Sequence, residues 1–94
     1  LNVTANMMFV AEDYAAILAE LGHSRSAARL LGAADALHER SGIPRLAHQE
    51  AEIAGAIAKA RAMVSATDWK QAYESGRDTP VYDVIAHAYA VTAP

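Results

Sequence analysis

The chain has 94 residues and no cysteine, and its eight basic and eleven acidic residues give a formal net charge of −3. A chain of this length forms one domain around a single core, and without cysteine it has neither a disulfide scaffold nor a thiolate site, which fits the cytoplasm. The acidic balance disfavours a broad surface for nucleic acid or anionic membranes, and no apolar run is long enough to span a bilayer.

The composition predicts an all-α fold of about five helices. Only 6% of the residues are aromatic, and the chain is rich in alanine, which favours helices packed closely by small side chains over a β-sheet. We expect one helical domain over residues 1–94, divided into a hairpin at 3–41, a long helix at 45–64 and two short helices within 67–91. We interpret the chain as a piece of a longer protein, because it starts with Leu1 inside an apparent helix.

The first predicted helix runs from about Val3 to Leu21 and stops at Gly22, which can adopt the left-handed conformation. Glu12, with Asp13 and Glu20, is expected to face water. The predicted inner face consists of Met7, Val10, Ala11, Tyr14, Ile17, Leu18 and Leu21.

The second predicted helix spans Ser24 to Ser41, with Ser24 as its N-cap and Gly42 as its stop. The short connection after the first helix predicts an antiparallel hairpin. Gly32 lies on a second arc of small residues, over which another helix could approach closely. The main apolar stripe consists of Ala27, Leu30, Leu31, Ala34 and Leu37, and the small-residue arc of Ala28, Gly32 and Ala36.

The third predicted helix has two packing faces, and two shorter helices follow it. Thr67 is expected to cap the fourth helix, which stops at Gly76, and Pro80 starts the fifth. The two faces of the third helix are Leu46, Ile53, Ile57, Ala60 and Val64, and then Ala47, Ala51, Ala54, Ala58 and Ala62. His48, Glu52 and Lys59 are expected to face water. The inner face of the fifth helix is Val81, Val84, Ile85 and Ala88.

Three segments carry a resemblance to a known family: LGHSRSAARLLGAADALHERSGIP, the alanine-rich third helix, and W-x-x-A-Y-x-x-G-R ending at Arg77. Together, over about residues 11–90, they resemble the tetratricopeptide-like helical-repeat region near the C-terminus of LuxR-type and related nucleotide-binding ATPase transcriptional regulators of bacteria. The resemblance implies that residues 1–94 are one helical-repeat domain of antiparallel hairpins of α-solenoid type, a fragment of a longer regulator. It also implies a non-catalytic, cytoplasmic protein-interaction module without a cofactor, whose partner is an upstream repeat, the ATPase domain or a second copy.

Four residues are candidate partner contacts. Phe9 projects to the polar side of the first helix, with Met8 beside it. A large aromatic residue in this position would be covered by a neighbouring repeat. Arg25 and Arg29 lie one turn apart on the outer arc of the second helix and could hold an acidic partner, although surface arginines usually pair locally. We expect the Phe9 face to support a weak dimer of the segment.

The alternative function is a helix-turn-helix DNA-binding domain at residues 24–41. The segment AARLLG, followed by Leu37 and Arg40, is similar to the Fis-type motif, in which the glycine opens a turn before a recognition helix. Here the residues after Gly32 continue a helical pattern, and Asp35 and Glu39 would repel phosphate. The helical-repeat interpretation therefore predicts a continuous helix through Gly32, whereas the DNA-binding interpretation predicts a turn there.

Other sites receive less support from the sequence. Asp35-x-x-His38 and Asp83-x-x-x-His87 could each place two metal ligands on one helix face, but the matching ligands of a di-metal bundle site are missing. No nucleophile elbow or phosphate-binding glycine loop occurs in the sequence. We therefore expect no enzyme activity, metal or cofactor.

Overall fold

The computed structural model describes residues 3–92. Five helices occupy this range, namely α1 (Val3–Glu20), α2 (Ser24–Ser41), α3 (Ala47–Arg61), α4 (Ala66–Arg77) and α5 (Val81–Thr92). No strand occurs within the described range, so the expected all-α class and the number of helices are confirmed. None of these helices has the length and apolar character needed to cross a membrane.

Helix α2 is the centre of the bundle and contacts all four other helices. The apolar stripe and the arc of small residues on α2 explain this position, because α1 covers one side of the helix and α4 lies on the other. Nine of its residues are buried, from Ser24 to Ala36. The predicted continuous helix and its hairpin with α1 are confirmed.

The crossing of α2 and α4 depends on two glycines. A Cβ at Gly32 would lie 2.1 Å from the carbonyl oxygen of Tyr73, and a Cβ at Gly76 would lie 1.9 Å from that of Arg29. Gly76 therefore does not stop α4 as predicted, since it lies inside a helix that continues to Arg77. Its role is to let two backbones touch, which periodicity within one helix does not reveal.

Several predicted helix ends differ from the structure. His23, not Ser24, is the N-cap of α2, and its side chain makes no capping hydrogen bond. Ser65, not Thr67, caps α4, because its Oγ accepts a hydrogen bond from the backbone N–H of Asp68 at 3.0 Å. Helix α3 is shorter than the predicted 45–64 and begins after Leu46, whose N–H donates to Oε1 of Gln49 at 2.9 Å.

The left-handed stops are confirmed at Gly22, with φ of 86°, and at Gly42, with φ of 72°. The N–H of Gly42 donates to the carbonyl of His38 at 3.0 Å and closes α2.

The inner face of α1 is rotated relative to the prediction. The buried residues of this helix are Met8, Ala11, Glu12, Ala15, Leu18 and Ala19. Val10, Ile17 and Leu21, which were expected inside, are 49%, 54% and 64% exposed. The prediction that Glu12 faces water is also wrong, because it is 4% exposed. An alanine-rich face lets α2 and α3 approach closely, and the larger residues remain outside.

The two predicted faces of α3 have different outcomes. Ile53, Ile57, Ala60 and Val64 pack against the core, as expected, whereas Leu46 is 54% exposed. The predicted second packing face is not covered: its members Ala47, Ala51, Ala54, Ala58 and Ala62 are all exposed. In α5, by contrast, the predicted inner face is confirmed, with Val84 and Ala88 buried and Val81 and Ile85 packed against them.

Candidate functional site

Five charged or polar side chains from three helices and one connection form a buried polar cluster. The cluster consists of Glu12 from α1, Asp35 and His38 from α2, Arg45 from the α2–α3 connection and Tyr73 from α4. Its ionic side chains are mostly buried, with exposures of 5% for Glu12, 14% for His38, 17% for Arg45 and 22% for Asp35. Sequence analysis named Asp35 and His38 as a possible pair of metal ligands but did not identify the residues that they bind.

His38 connects α1 to the residues that follow α2. Its Nδ1 lies 2.6 Å from the carbonyl oxygen of Ile43, which can only accept, so Nδ1 donates. Its Nε2 lies 2.5 Å from Oε1 of Glu12. With a proton on Nδ1, that contact requires a second proton, either on Nε2 or on the carboxyl group. Through these two contacts His38 links α1, α2 and the start of the α2–α3 connection.

Arg45 binds both acidic groups of the cluster. Its Nη2 donates to Oδ1 of Asp35, and its Nε lies 3.1 Å from Oε1 of Glu12, at ion-pair distance without an aligned hydrogen bond. Burial acts to lower the pKa of Arg45, but its hydrogen bond to Asp35 and the charges of Asp35 and Glu12 outweigh burial. The net effect raises that pKa, so the guanidinium stays charged and balances part of the buried negative charge.

Tyr73 extends the cluster to α4. Its hydroxyl donates to Oδ2 of Asp35 at 2.5 Å. Arg77 lies above the Tyr73 ring, with Cζ 6.0 Å from its centroid, and forms two hydrogen bonds with Glu39, at 2.5 and 3.2 Å. The hydrogen bond from Arg77 lowers the pKa of Glu39. The polar contacts of Asp35, His38 and Glu39 therefore lie along α2, beside the place where Gly32 and Gly76 bring α2 and α4 together.

Two depressions border the cluster. Asp35 and Tyr73, with Leu31 and Trp69, line an open one of about 540 Å³, and Glu12 and His38, with Phe9 and Ile43, line a cavity of about 20 Å³. That volume suits about one water molecule. The polar groups of the cluster bind each other, so their direct physical effect is to hold the α2–α3 connection and α4 against the α1–α2 hairpin.

We expect Tyr73 to make the free energy of unfolding depend on pH in the alkaline range. Burial, followed by the hydrogen bond to Asp35 and the charge of that carboxylate, raises the pKa of Tyr73. A raised pKa contributes stability below the unfolded value of about 10, and that stability is lost as pH rises through the folded value. We expect the free energy of unfolding to fall more steeply above about pH 10 in the wild type than in Tyr73→Phe.

Urea unfolding followed at a series of alkaline pH values measures this difference. Tyr82→Phe is the matched control, since it removes a phenolic hydroxyl from a residue that is 65% exposed. Equal slopes with pH for the wild type and Tyr73→Phe would contradict the assignment.

The four predicted contact residues lie in different environments. Met8 is 2% exposed and belongs to the core, so the prediction that it flanks an exposed face is wrong. Phe9 is 42% exposed and borders the small cavity with Ile43 and Pro44, so the chain itself covers part of its ring. Arg25 pairs with Asp68 at 2.8 Å, which is the local pairing that the sequence left open.

Arg29 is half-buried, and its Nε is buried with no hydrogen-bond partner among the described residues.

The candidate metal pairs have other contacts or lie apart from any further ligand. Asp35 and His38 bind different partners in the cluster, and Asp83 and His87 are exposed. Within the described residues, no group of three or more potential ligands could hold a metal ion.

The members of the cluster that sequence analysis missed are Glu12, Arg45 and Tyr73. These residues and their partners are separated by 10 to 38 positions along the chain, so helix periodicity carries no signal for these contacts.

Comparisons with protein families, with curated proteins and with solved structures found no match to this chain.

Proposed function

We propose that this chain is a non-catalytic protein-interaction module of tetratricopeptide-like type, part of a cytoplasmic bacterial transcriptional regulator of the LuxR type. The observation that supports an interaction role is an exposed apolar row, formed by Val10 and Ile17 on α1 and by Leu21 directly after its last residue. The N–H of Leu21 donates to the carbonyl of Ile17 at 3.0 Å, so Leu21 continues the helical path. Steps of seven and four residues place these side chains on one side of the helix. We call this set the α1 row.

The α1 row differs from scattered surface hydrophobics in its position. Its three large aliphatic residues lie from the middle of α1 to just beyond its end, whereas Ala11, Ala15 and Ala19 of the same stretch are buried in the core. A contiguous exposed apolar surface is typical of protein interfaces. In a stack of helical hairpins, each first helix is covered by the preceding hairpin, so a helix of a neighbouring repeat is the partner that this row fits.

The exposed alanine face of α3 supports the same proposal. Its five alanines would allow a further helix to pack at short distance, as stacked hairpins require. The α1–α2 hairpin also has the close contacts of a repeat unit, since Ala11, Ala15, Leu18 and Ala27 are buried between helices.

The DNA-binding alternative receives no support from α2. That function needs a turn at Gly32 and an accessible second helix, but α2 is continuous and Gly32 lies under the backbone of Tyr73. Residues on two sides of α2 are covered by α1 and α4, so this helix cannot enter a DNA groove without loss of the core. We therefore propose no DNA-binding role.

Sedimentation equilibrium over a range of concentrations tests the interaction role. In the absence of a neighbouring repeat, we expect the chain to self-associate weakly through the α1 row, because burying one large aliphatic residue contributes only about 1.5 to 3 kcal/mol. Ile17→Lys should shift the chain to the monomer. Phe9→Ser tests the neighbouring Phe9 surface, and Gln71→Lys adds the same charge on the exposed side of α4 as a control.

A wild type that stays monomeric at all concentrations would contradict the proposal. So would a dimer that Ile17→Lys leaves unchanged. Circular dichroism of each variant checks that the helices are intact, since these three positions are exposed and should tolerate substitution.

A further inference from the structure

A polar depression of about 480 Å³ lies between α2, α4 and α5. Steps of three and four residues bring Asp68, Gln71 and Ser75 to one face of α4, and Arg25 and Arg29 lie one turn apart on α2. One residue of α5 completes the wall. The polar residues that line the depression include Arg25, Arg29, Asp68, Gln71, Ser75 and His87.

Arg29 is the cation of this wall that no carboxylate neutralises. Arg25 and Asp68 form an ion pair at 2.8 Å, and within residues 3–92 Asp68 is the only acidic residue that lines the depression. The guanidinium of Arg29 makes neither a hydrogen bond nor an ion pair with any other described residue. The depression therefore has an excess of positive charge, in a chain whose formal net charge is −3.

The partial burial of Arg29 makes its lack of a partner informative. The residue is half-buried, unlike Arg40 near the end of the same helix, which is exposed. Taking a charge out of water is costly, so arginines that leave water are normally paired, as Arg45 is with Asp35. The Nε of Arg29 is buried, whereas its two Nη nitrogens are not. A ligand can therefore reach the end of the guanidinium but not its Nε.

We propose that this depression binds the oxyanion group of a small polar ligand, a phosphate or a carboxylate, with the Nη nitrogens of Arg29 as its main partners. Guanidinium groups bind both anions well, because two parallel N–H donors match two oxygens. The side chains of Gln71 and Ser75 are exposed and can donate to the same ligand. The volume of the depression lies within the range of small-molecule sites, about 300 to 1,000 Å³. The site contains no residue of α1 and does not depend on the proposed function.

Titration with sodium phosphate at constant pH and ionic strength, followed by NMR, tests this site. We expect the Nε–H signal of Arg29 and the side-chain amide signals of Gln71 to shift and to saturate at millimolar phosphate. A parallel titration with sodium acetate identifies the preferred group: saturation with phosphate alone assigns a phosphate, and saturation at lower acetate concentrations assigns a carboxylate. If neither anion gives saturable shifts at these two residues, the proposal is wrong.

Arg29→Met makes the test specific, because it removes the charge and keeps an unbranched side chain. Phosphate binding should weaken about tenfold or more, the effect of losing hydrogen bonds to a charged group. Arg40→Met removes the same charge from an exposed position of α2 and should bind as the wild type does. Unchanged binding by Arg29→Met, or equal weakening by Arg40→Met, would overturn the proposal.

Urea unfolding separates a binding role of Arg29 from a structural one. Arg29→Met no longer holds an unpaired charge partly out of water, so its urea midpoint should equal or exceed that of the wild type. A lower midpoint would assign Arg29 to the stability of the fold instead.

Asp68→Asn provides an independent test of the arrangement. The substitution releases Arg25 from its ion pair and removes the acidic group from the wall. Phosphate binding should then become up to about fivefold stronger, the effect of one solvent-exposed charge. Weaker binding by this variant would show that the anion lies elsewhere.

Discussion

Gly76→Ala is expected to lower the free energy of unfolding by about 3 kcal/mol or more. The added Cβ would lie 1.9 Å from the carbonyl oxygen of Arg29 and within 2.7 Å of its Cα. These atoms belong to the backbone of the central helix, so no side-chain rotation relieves the contact, and α2 and α4 must separate. Overpacking in a core costs about 1 to 3 kcal/mol and occasionally more, in a domain whose total stability is about 5 to 15 kcal/mol.

The other glycines provide matched comparisons. Gly32→Ala should be similarly destabilising, because its Cβ would lie 2.1 Å from the carbonyl oxygen of Tyr73. Gly55→Ala introduces the same methyl group into α3, where nothing lies within 4 Å. It should stabilise the protein by about 1 kcal/mol, since alanine is the better helix former.

Urea unfolding followed by circular dichroism measures the three glycine variants. A result in which Gly76→Ala stabilises the protein, as Gly55→Ala is expected to, would show that helix propensity, not the crossing distance, determines the effect. In that case the close approach of α2 and α4 would be incorrect.

Arg45→Met should be the most destabilising substitution in the buried polar cluster, by about 3 to 5 kcal/mol. It leaves the carboxylates of Glu12 and Asp35 without their shared cation, and both side chains are mostly buried. Removing one partner of a buried ion pair is costly because the other charge remains without compensation. The substitution should also loosen the α2–α3 connection, which would keep the contacts of Ile43 with His38 and Ser41.

An exposed ion pair provides the control for Arg45. Lys59 and Glu20 lie 2.7 Å apart, but their side chains are 55% and 60% exposed. Lys59→Met removes a cation of the same charge and should cost no more than about 1 kcal/mol, because solvent screens such pairs.

A double-substitution cycle separates lost packing from lost charge. If Glu12→Gln and Arg45→Met act through one charge cluster, the double variant should be clearly more stable than the sum of the two single effects implies. Additive effects would show that Arg45 contributes mainly by packing its aliphatic part. All four proteins are compared by urea unfolding at neutral pH.

Local sequence signals predicted the helices well, because their causes lie within a few residues. The alternation of apolar and polar residues at helical spacing, and the glycines at Gly22 and Gly42, were sufficient to place five helices and two left-handed stops. The two arcs of α2 also indicated neighbours on both sides. A helix with a small-residue arc around Gly32 can bury that arc only against another closely packed helix.

Choices between nearby capping residues were less predictable from the sequence. Ser24 and Thr67 are both good capping residues, but the chain direction after each turn places His23 and Ser65 at the cap positions instead. A shift of one or two residues changes which side chain reaches the free N–H groups. Capping geometry thus depends on where the preceding helix ends.

The sequence by itself determined the all-α class, the five helices and the central role of α2, since these follow from composition and from periodicity within each helix. Only the tertiary structure decided which face of α1 is buried, why Gly76 is required, and how Glu12, His38, Arg45, Asp35 and Tyr73 meet. Those features depend on the distance between two backbones and on charges far apart in the chain. When both sides of a helix carry apolar residues, the closer packing of alanines can place Ile17 outside and Glu12 inside, beside a cation that neutralises it.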